Sequence, residues 1–408
     1  MAGEVLDGVT SDPVAMGWMV GAPPPSEKRI LAARADHMRF PMIRWSYSNM
    51  RSFCPTARVA AGGEGTPFPR ALRADLGSVR FTPLGAETEI SFEESLLSAF
   101  TDGILVLHRG EVVFEKWFGV TGPETRHIAF SVTKSFVGTL VQMLVGEGRI
   151  DLAAPITSVL PELAPSGFGS AAIGQVLHMT TALDFSEEYG NPNSGIGAYS
   201  AALGLTPRPA SYTGPHNLWD YLTTVAGAGT HGEQFVYRTP NTDVLAWLIT
   251  RAEGKPFTQV LSERLWQPLG MLGDADMIVD EVGSPFAGGG LNLRLEDLAR
   301  FGEALRLGGL GVIPEADIDR MRQGGDPDRF HKAAYPLLSG WSYGSQWWHA
   351  HDNHGCFSAR GIHGQTLWID PLAEMVIARF ASHPTAANGA NDPHSLPAWR
   401  ALADTLNA

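Results

Sequence analysis

Hydrophobic residues recur every three or four positions between Ser131 and Glu147, in the stretch FSVTKSFVGTLVQMLVGEG. This spacing predicts a helix, and Gly148 is a typical residue to end it. Upstream, TDGILVLHRGEVVFEKWFG has two β-rich runs on either side of Arg109-Gly110, which predicts a hairpin. Near the C-terminus, GQTLWIDP and EMVIARFAS predict two further strands, and PHSLPAWRALADTLNA predicts a final helix.

The middle of the chain has a different pattern, in which proline and glycine interrupt stretches of helical spacing. Helices are predicted for IDLAAPITSVLPELA, AAIGQVLHMTTAL, NLWDYLTTV, NTDVLAWLITRAEG and GLNLRLEDLARFGEALRLGG. Residues 1–85 are rich in proline, glycine and alanine, and predict a loop-rich arm that wraps the body. We expect residues 86–408 to form one α/β (α+β) domain. Its antiparallel sheet comes from about 86–120 and 340–408 and is flanked by helices, and a mostly helical lobe is inserted at about 151–300.

Composition narrows the class of protein. The 408 residues are 44% hydrophobic and 18% charged, which is typical of a globular domain. The net charge is −13 and no basic run occurs, so neither a nucleic acid nor an anionic membrane is an expected partner. The N-terminal stretch has no basic start followed by an apolar run, so we expect a cytoplasmic protein. Two cysteines, Cys54 and Cys356, do not make a disulfide framework.

Ser131 and Lys134 lie one turn apart at the start of the predicted central helix. A serine hydroxyl is a weak nucleophile until a base removes its proton. A lysine is that base only when neutral, and both burial and the positive end of a helix dipole lower its pKa. The N–H of Ser131 is also free at a helix start, where it can donate to an oxyanion. The alternative is that Ser131 caps the helix and Lys134 extends to solvent, since S-x-x-K also arises by chance.

The residues on either side of Ser131 and Lys134 favour the catalytic interpretation over the structural one. The stretch FSVTKSFVGTLVQMLVGEGRIDLAAPI resembles the serine β-lactamase and penicillin-binding-protein superfamily, in which S-x-x-K opens a helix. The resemblance implies a β-lactamase-like fold and an acyl-enzyme formed on Ser131, with Lys134 as its base.

Two further signatures of that superfamily have counterparts in the chain. A tyrosine followed by asparagine is matched by Tyr237 and Asn241, although the spacing is Tyr-x-x-x-Asn and not the commoner Tyr-x-Asn. The resemblance gives Tyr237 a part in moving the proton; a core tyrosine ahead of a helix is the alternative. A strand with a His-Gly variant is matched by ARGIHGQTLWIDP. There Gly361 would allow close approach of a substrate, and the Ile362 N–H would be the second oxyanion donor after Ser131. His363 is either a base or a residue that hydrogen-bonds a loop.

GILVLHRGEVV, NTDVLAW, QWW and GIHGQTLWIDP together resemble the 6-aminohexanoate-dimer hydrolases and their esterase-like relatives, over residues of about 100 to 380. The resemblance implies that Tyr189 closes over the substrate. The chain departs from the branch at two places in the substrate site. Ser200 stands where an acid would meet the substrate's ammonium, and Gly288 stands where a polar residue precedes Gly-Gly. We therefore expect a small-molecule ester or non-peptide amide as substrate, with lactonase and β-lactamase or D-aminopeptidase activities as alternatives.

Two other classes of function stay open. The run HAHDNHGC is dense in residues that bind metals, which would suit a metallohydrolase, but its spacing matches no helix-borne zinc motif. Its ligand-type residues are His349, His351, Asp352, His354 and Cys356. A non-catalytic binding protein with the same fold is the other alternative. For the serine hydrolase, no cofactor and no metal are expected, and a homodimer is left open.

Overall fold

The computed structural model describes residues 6–63, 65–333 and 335–408. The first five residues of the predicted arm lie outside these ranges. Its strands, in chain order, are β1 (Thr56–Val59), β2 (Arg80–Phe81), β3 (Ile90–Ser91), β4 (Thr101–His108), β5 (Glu111–Trp117), β6 (His127–Ile128), β7 (Ala275–Ile278), β8 (Leu291–Leu293), β9 (Ser342–Gly344), β10 (Trp347–His349), β11 (Phe357–Gly361), β12 (Gln365–Asp370) and β13 (Met375–Ala381).

The α-helices are interspersed among these strands, together with several short 3₁₀ turns. In chain order they are α1 (Ile43–Ser46), α2 (Phe92–Ser98), α3 (Thr133–Gly146), α4 (Ile173–Leu177), α5 (Gly195–Leu203), α6 (Leu218–Thr224), α7 (Pro240–Glu253), α8 (Phe257–Leu261), α9 (Leu295–Arg306), α10 (Glu315–Arg322), α11 (Pro327–His331) and α12 (Asp392–Asn407). Within the described residues, no helix has both the length and the apolar content that crossing a bilayer requires.

A seven-stranded antiparallel sheet joins strands from the two ends of the body, in the order β5-β4-β13-β12-β11-β10-β9. The predicted hairpin is its first pair, β4 and β5, with His108 opposite Glu111. Arg109 and Gly110 between them both have positive φ, 53° and 82°, as a two-residue turn of type I′ requires. The predicted meeting of early and late strands in one antiparallel sheet is confirmed by the pairing of β13 with β4.

Alternating side chains bury both faces of this sheet. From β4, Leu105 and Leu107 join the cluster that contains α3 and α9, whereas Ile104 and Val106 join the cluster that contains α2 and α12. This alternation follows from the period of two along a strand. Because helices cover both faces, the central strands β12 and β13 are buried along their whole length. The helix α3 belongs to the larger of the two clusters.

A second, four-stranded sheet lies in the order β1-β7-β8-β6 and contains strands that the sequence did not predict. Two of them, β7 and β8, come from the stretch 151–300, which was predicted to be mostly helical. The loop-rich arm supplies β1, which pairs with β7 from Thr56 opposite Ile278 to Val59 opposite Ala275. The partners are more than 200 residues apart, and the pattern within either segment alone does not specify such a pairing.

Three of the predicted helices were wrong or overlong. AAIGQVLHMTTAL is helical only over Ile173–Leu177. IDLAAPITSVLPELA forms only the 3₁₀ turns Ile156–Ser158 and Pro161–Leu163, because Pro155 and Pro161 each lack the N–H that helix propagation needs. GLNLRLEDLARFGEALRLGG begins as strand β8, and its helix α9 starts only at Leu295.

Candidate active site

Ser131 lies in a 3₁₀ turn, Phe130–Val132, that leads directly into α3. The turn places its side chain at the wall of a cavity, where 9% of the residue is exposed. The preceding residue, Phe130, has a φ of 43°, a left-handed conformation that is costly for a bulky side chain. Phe130 is held there by its buried ring, which packs edge-on against Tyr47 at 4.9 Å between centroids. The surrounding core thus fixes the direction of Ser131.

Lys134 is buried one turn further along, with 1% of its surface exposed. Its Nζ lies 3.0 Å from Ser131 Oγ, 3.2 Å from Thr239 Oγ1 and 2.5 Å from the carbonyl oxygen of Gly288. Burial lowers the pKa of Lys134 to about 8, while the negative charges of Glu187 and Asp243 oppose that shift. The predicted Ser131–Lys134 proximity is therefore present, and Lys134 does not extend to solvent.

Asp243, on α7, holds the backbone that contacts Lys134. Its Oδ1 accepts a hydrogen bond from the Gly288 N–H at 2.9 Å, and its Oδ2 accepts one from the Tyr199 hydroxyl at 2.8 Å. Burial raises the pKa of the Asp243 carboxyl, whereas the bonds from Tyr199 and Gly288 lower it. Asp243 thus fixes the Gly288 peptide, whose carbonyl oxygen accepts from Lys134.

Tyr237 lies on the other side of the pair, before α7. Its ring is 5.2 Å from Lys134 Nζ and stacks on Trp348 at 5.6 Å between centroids. Burial raises the pKa of the Tyr237 phenol well above its ordinary value, and a hydrogen bond with Ser131 acts in the opposite direction. The phenol is therefore protonated at neutral pH and lies next to Ser131.

A cavity of about 480 Å³ opens over Ser131. This volume is typical of a site for a small molecule. Most of its wall is aromatic or aliphatic, and its charged members are Glu187, Arg360 and Asp392. The lining residues are Ser131, Glu187, Tyr189, Tyr237, Tyr335, Pro336, Leu337, Leu338, Trp348, Arg360, Ile362, Ala387, Asn388, Gly389 and Asp392.

The segment after β11 approaches the Ser131 turn, as the sequence predicted. Ile362 lines the cavity, but Gly361 and His363 do not. A Cβ on Gly361 would lie 2.6 Å from the carbonyl oxygen of Ala129, so this glycine permits close packing of two backbones and not the approach of a substrate. His363 Nδ1 lies 2.6 Å from the His383 carbonyl oxygen, and burial lowers the pKa of this imidazole to about 4. The geometry favours the loop-bonding alternative for His363.

We expect Gly361→Ala to destabilise the protein and the site together. The added methyl group would force the β11 backbone away from Ala129, at a cost of about 1–3 kcal/mol. Thermal unfolding followed by circular dichroism should show a lower Tm than wild type, with a reduced kcat/KM on an ester. Gly63→Ala, where a Cβ meets nothing within 4 Å, is the control. Equal Tm values for the two variants would show that the close packing at Gly361 is unimportant.

Three other predicted substrate contacts are not brought to the cavity. Asn241 is fully buried, and its side chain bonds Thr181 and the Arg238 carbonyl. Ser200 lies on α5, and its hydroxyl donates to the Ile196 carbonyl one turn back. Gly288 contacts Lys134 through its carbonyl oxygen and does not line the cavity. These three positions support neighbouring backbone or side chains, which corrects the expectation of direct contact.

The loop that contains Tyr189 does reach the cavity, and it also places there an acid that was not predicted from the sequence. Tyr189 is 41% exposed at the cavity wall, and its hydroxyl donates to Glu187 Oε2 at 2.5 Å. The other oxygen of Glu187 accepts from the Thr239 N–H at 2.6 Å. The site therefore contains a carboxylate near Lys134, although not at the position of Ser200.

Thr239 is the second site residue, after Glu187, that was not predicted from the sequence. It stands two positions after Tyr237, where the commoner Tyr-x-Asn signature has its asparagine, and its hydroxyl contacts Lys134. Its position two residues after Tyr237 could have identified Thr239 as a site residue from the sequence. Arg360 and Asp392, which form a buried ion pair in the cavity wall, come from a strand and a distant helix and have no motif.

The residues suited to metals lie elsewhere. His354, Cys356 and Asp370 form a buried cluster beyond the far end of β11. His349 and His351 do not belong to it, since His349 Nε2 faces the Gly344 carbonyl oxygen and His351 Nε2 lies 2.6 Å from Ser342 Oγ. None of these residues lines the cavity over Ser131.

The profile of the Beta-lactamase family matches residues 94–396. The chain therefore belongs to the Beta-lactamase family, which confirms the predicted fold and makes it a hydrolase of that superfamily. Among curated relatives, the 6-aminohexanoate-dimer hydrolase of Paenarthrobacter ureafaciens is 35% identical over 352 residues, which cover 84% of this chain and 86% of the relative. This similarity confirms the predicted resemblance to that branch.

Solved structures agree with this placement. "Putative 6-aminohexanoate-dimer hydrolase from Bacillus anthracis" superposes with a TM-score of 0.84 at 29% identity, over 94% of this chain and 99% of that one. "EstCE1, a hydrolase with promiscuous acyltransferase activity" has the same fold, with a TM-score of 0.59 at 17% identity over 76% of this chain and 98% of that one.

Proposed function

We propose that the protein is a serine hydrolase that forms an acyl-enzyme on Ser131 and acts on small carboxylic esters or non-peptide amides. The observation that carries the proposal is the buried Lys134 amine, 3.0 Å from the Ser131 hydroxyl at the wall of a small-molecule cavity. A buried amine with a lowered pKa is suited to the role of a general base near neutral pH.

The contacts of Lys134 support its role as the base. A neutral amine has two N–H groups and one lone pair. When Thr239 and Gly288 accept the two N–H groups, the lone pair faces Ser131 Oγ. The Ser131 oxygen then attacks the substrate carbonyl carbon, and its proton passes to Lys134 Nζ. The N–H groups of Ser131 and Ile362 are the proposed donors to the resulting oxyanion.

Tyr237 is the proposed acid for the leaving group. Its phenol is protonated at neutral pH and adjoins both Ser131 and Lys134. It would donate its proton to the departing alcohol or amine and regain one from the Lys134 ammonium. Collapse of the tetrahedral intermediate leaves the acyl group on Ser131. Water then attacks the acyl carbon and gives its proton to the same basic groups, which releases the acid and restores the hydroxyl.

We expect Tyr237→Phe to reduce kcat/KM by about 10²- to 10⁴-fold on an amide, because an amine leaves only when protonated. The loss should be smaller on a p-nitrophenyl ester, whose leaving group needs no proton. Steady-state rates on both substrates measure the difference. Tyr343→Phe is the matched control, since Tyr343 is buried against Tyr237 but does not line the cavity. An equal loss on amide and ester would contradict the role as acid.

The pH dependence follows from the protonation of Lys134. The amine is neutral above its pKa of about 8 and becomes an inactive ammonium below it. We therefore expect kcat/KM to fall about tenfold per pH unit on the acid side of that value. Glu187 raises the pKa of Lys134, so Glu187→Gln should move the acid limb of the profile to lower pH. A limb that stays in place or moves upward in the variant would contradict the assignment.

The charges of the cavity wall favour an uncharged substrate. Glu187 already accepts hydrogen bonds from Tyr189 and Thr239, and Asp392 is paired with Arg360. Among the residues described around the cavity, each carboxylate therefore has a partner, and a substrate ammonium would have to compete with Tyr189 and Thr239 for the oxygens of Glu187. For this reason we expect weak cleavage of a cationic linear amide, and Ser200 has no part in it because it does not line the cavity.

A substrate panel tests the proposed function. We would assay p-nitrophenyl butyrate, a γ-lactone, an uncharged N-acyl amide and the linear dimer of 6-aminohexanoate with wild type and Ser131→Ala. Wild type should cleave the ester or the uncharged amide at least tenfold more efficiently than the cationic dimer. Ser131→Ala should cleave none of them. A wild type that prefers the cationic dimer would contradict the substrate class, and an active Ser131→Ala would contradict the serine mechanism.

A further inference from the structure

A second cluster of reactive side chains lies away from the nucleophile. The loop between β10 and β11 contributes His354 and Cys356, and the end of β12 contributes Asp370. All three are buried, with exposed fractions of 8%, 3% and 2%. One donor atom from each lies within 4.8 Å of the other two.

The local hydrogen bonds orient these groups toward one another. His354 Nδ1 lies 2.8 and 3.0 Å from the two carboxylate oxygens of Asp370. Asp352 Oδ1 accepts from the backbone N–H groups of His354 and Cys356, which fixes the conformation of the loop. Asp370 also accepts from the Ala373 N–H, which anchors its side chain. Such outer contacts hold the first ligands of a metal in place.

The cluster combines ligand types that zinc ordinarily binds. Two carboxylates, Asp352 and Asp370, adjoin one imidazole and one thiol. A coordinated thiol is deprotonated, so the sulfur would bind as a thiolate. A separate cavity of about 330 Å³, lined by Asp352, Cys356 and Asp370 with Trp341 and Trp399, offers an entry path.

We propose that His354, Cys356 and Asp370 bind a Zn²⁺ ion, with Asp352 or water as the fourth ligand. Imidazole, thiolate and carboxylate are all ordinary ligands of zinc in tetrahedral sites. Bonds of about 2.0–2.1 Å place tetrahedral N and O ligands about 3.3 Å apart, so His354 and Asp370 would separate by about half an ångström. Binding releases the thiol proton to solvent, together with any proton shared by His354 and Asp370.

The site would have a structural role. Cys356 precedes the first residue of β11, and Gly361 at the other end adjoins the Ser131 turn, about 16 Å away at the rise of an extended strand. An ion there would join the β10–β11 loop to the end of β12. It would not reach the carbonyl that Ser131 attacks, which separates this proposal from a metallohydrolase and departs from the expectation that no metal is bound.

The test is a metal titration of the full-length protein after dialysis against EDTA. Co²⁺ is the probe, because its thiolate complexes absorb in the near ultraviolet. Wild type should take up one equivalent with that absorption, Zn²⁺ should displace it, and Zn²⁺ should raise the Tm. Cys54→Ser, which removes the other buried thiol, should behave like wild type. Cys356→Ser should lose both the absorption and the zinc-dependent rise in Tm, while its ester turnover stays within about twofold and shows that it is folded.

A second variant covers the case in which Cys356→Ser does not fold. Asp370→Asn keeps the thiol and should weaken Zn²⁺ binding about tenfold or more. Three results would each overturn the proposal. They are the absence of thiolate–Co²⁺ absorption in wild type, the same absorption in Cys356→Ser, and a zinc-dependent rise in Tm that is equal in wild type and Asp370→Asn.

Discussion

Lys134→Arg should retain less than about a thousandth of the wild-type kcat/KM, a loss of about 4 kcal/mol of transition-state stabilisation. Arginine keeps the positive charge, but its guanidinium does not deprotonate and has no lone pair for the Ser131 proton. The larger head must also fit a buried space bounded by Thr239 and Gly288. Steady-state kinetics on a p-nitrophenyl ester, with circular dichroism to verify folding, measure the effect.

The control for this variant is Lys255→Arg, at an exposed lysine whose partner is Glu263. It should change kcat/KM by less than about twofold. Lys134→Ala with an added small primary amine gives a second measurement, because an amine in the vacated space should restore part of the rate. Turnover near the wild-type level in Lys134→Arg would show that another group removes the serine proton.

Ser131→Ala should have the largest effect, with kcat/KM reduced by at least about 10⁴-fold on every substrate. The variant removes the only atom that the acyl group is proposed to occupy, whereas the cavity and Lys134 remain. Ligand binding should therefore persist, with a Kd for an unreactive amide close to the wild-type value. Ser98→Ala, at an exposed position at the end of α2, is the control. A Ser131→Ala variant that still turns over would disprove the nucleophile.

The sequence predicted well those features whose side-chain or backbone positions depend only on neighbouring residues in the chain. Ser131 and Lys134 are three positions apart in helical backbone, and this spacing brings their side chains together whatever surrounds them. The β4–β5 hairpin is specified by its two-residue turn in the same way. Both features depend on neighbours within a few residues.

The features that were missed depend on contacts between distant parts of the chain. Glu187 reaches the Lys134 site because its loop folds over Thr239, and no motif marks that position. Asp243 acts through the backbone of Gly288, 45 residues further along. Two other features also join segments that are far apart in the sequence. They are the pairing of β1 with β7 and the ion pair of Arg360 with Asp392. Sequence periodicity describes one segment at a time, so such partners become visible only in the folded structure.

A rapid-quench experiment with a p-nitrophenyl ester would detect the acyl group that we expect Ser131 to carry. Wild type is mixed with excess substrate, quenched in acid within milliseconds to seconds, and examined by intact and peptide mass spectrometry. We expect a mass increase of one acyl group, located on Ser131, an initial burst of one p-nitrophenol per adduct, and neither signal in Ser131→Ala. An adduct on another residue, or an adduct that persists in Ser131→Ala, would contradict this expectation.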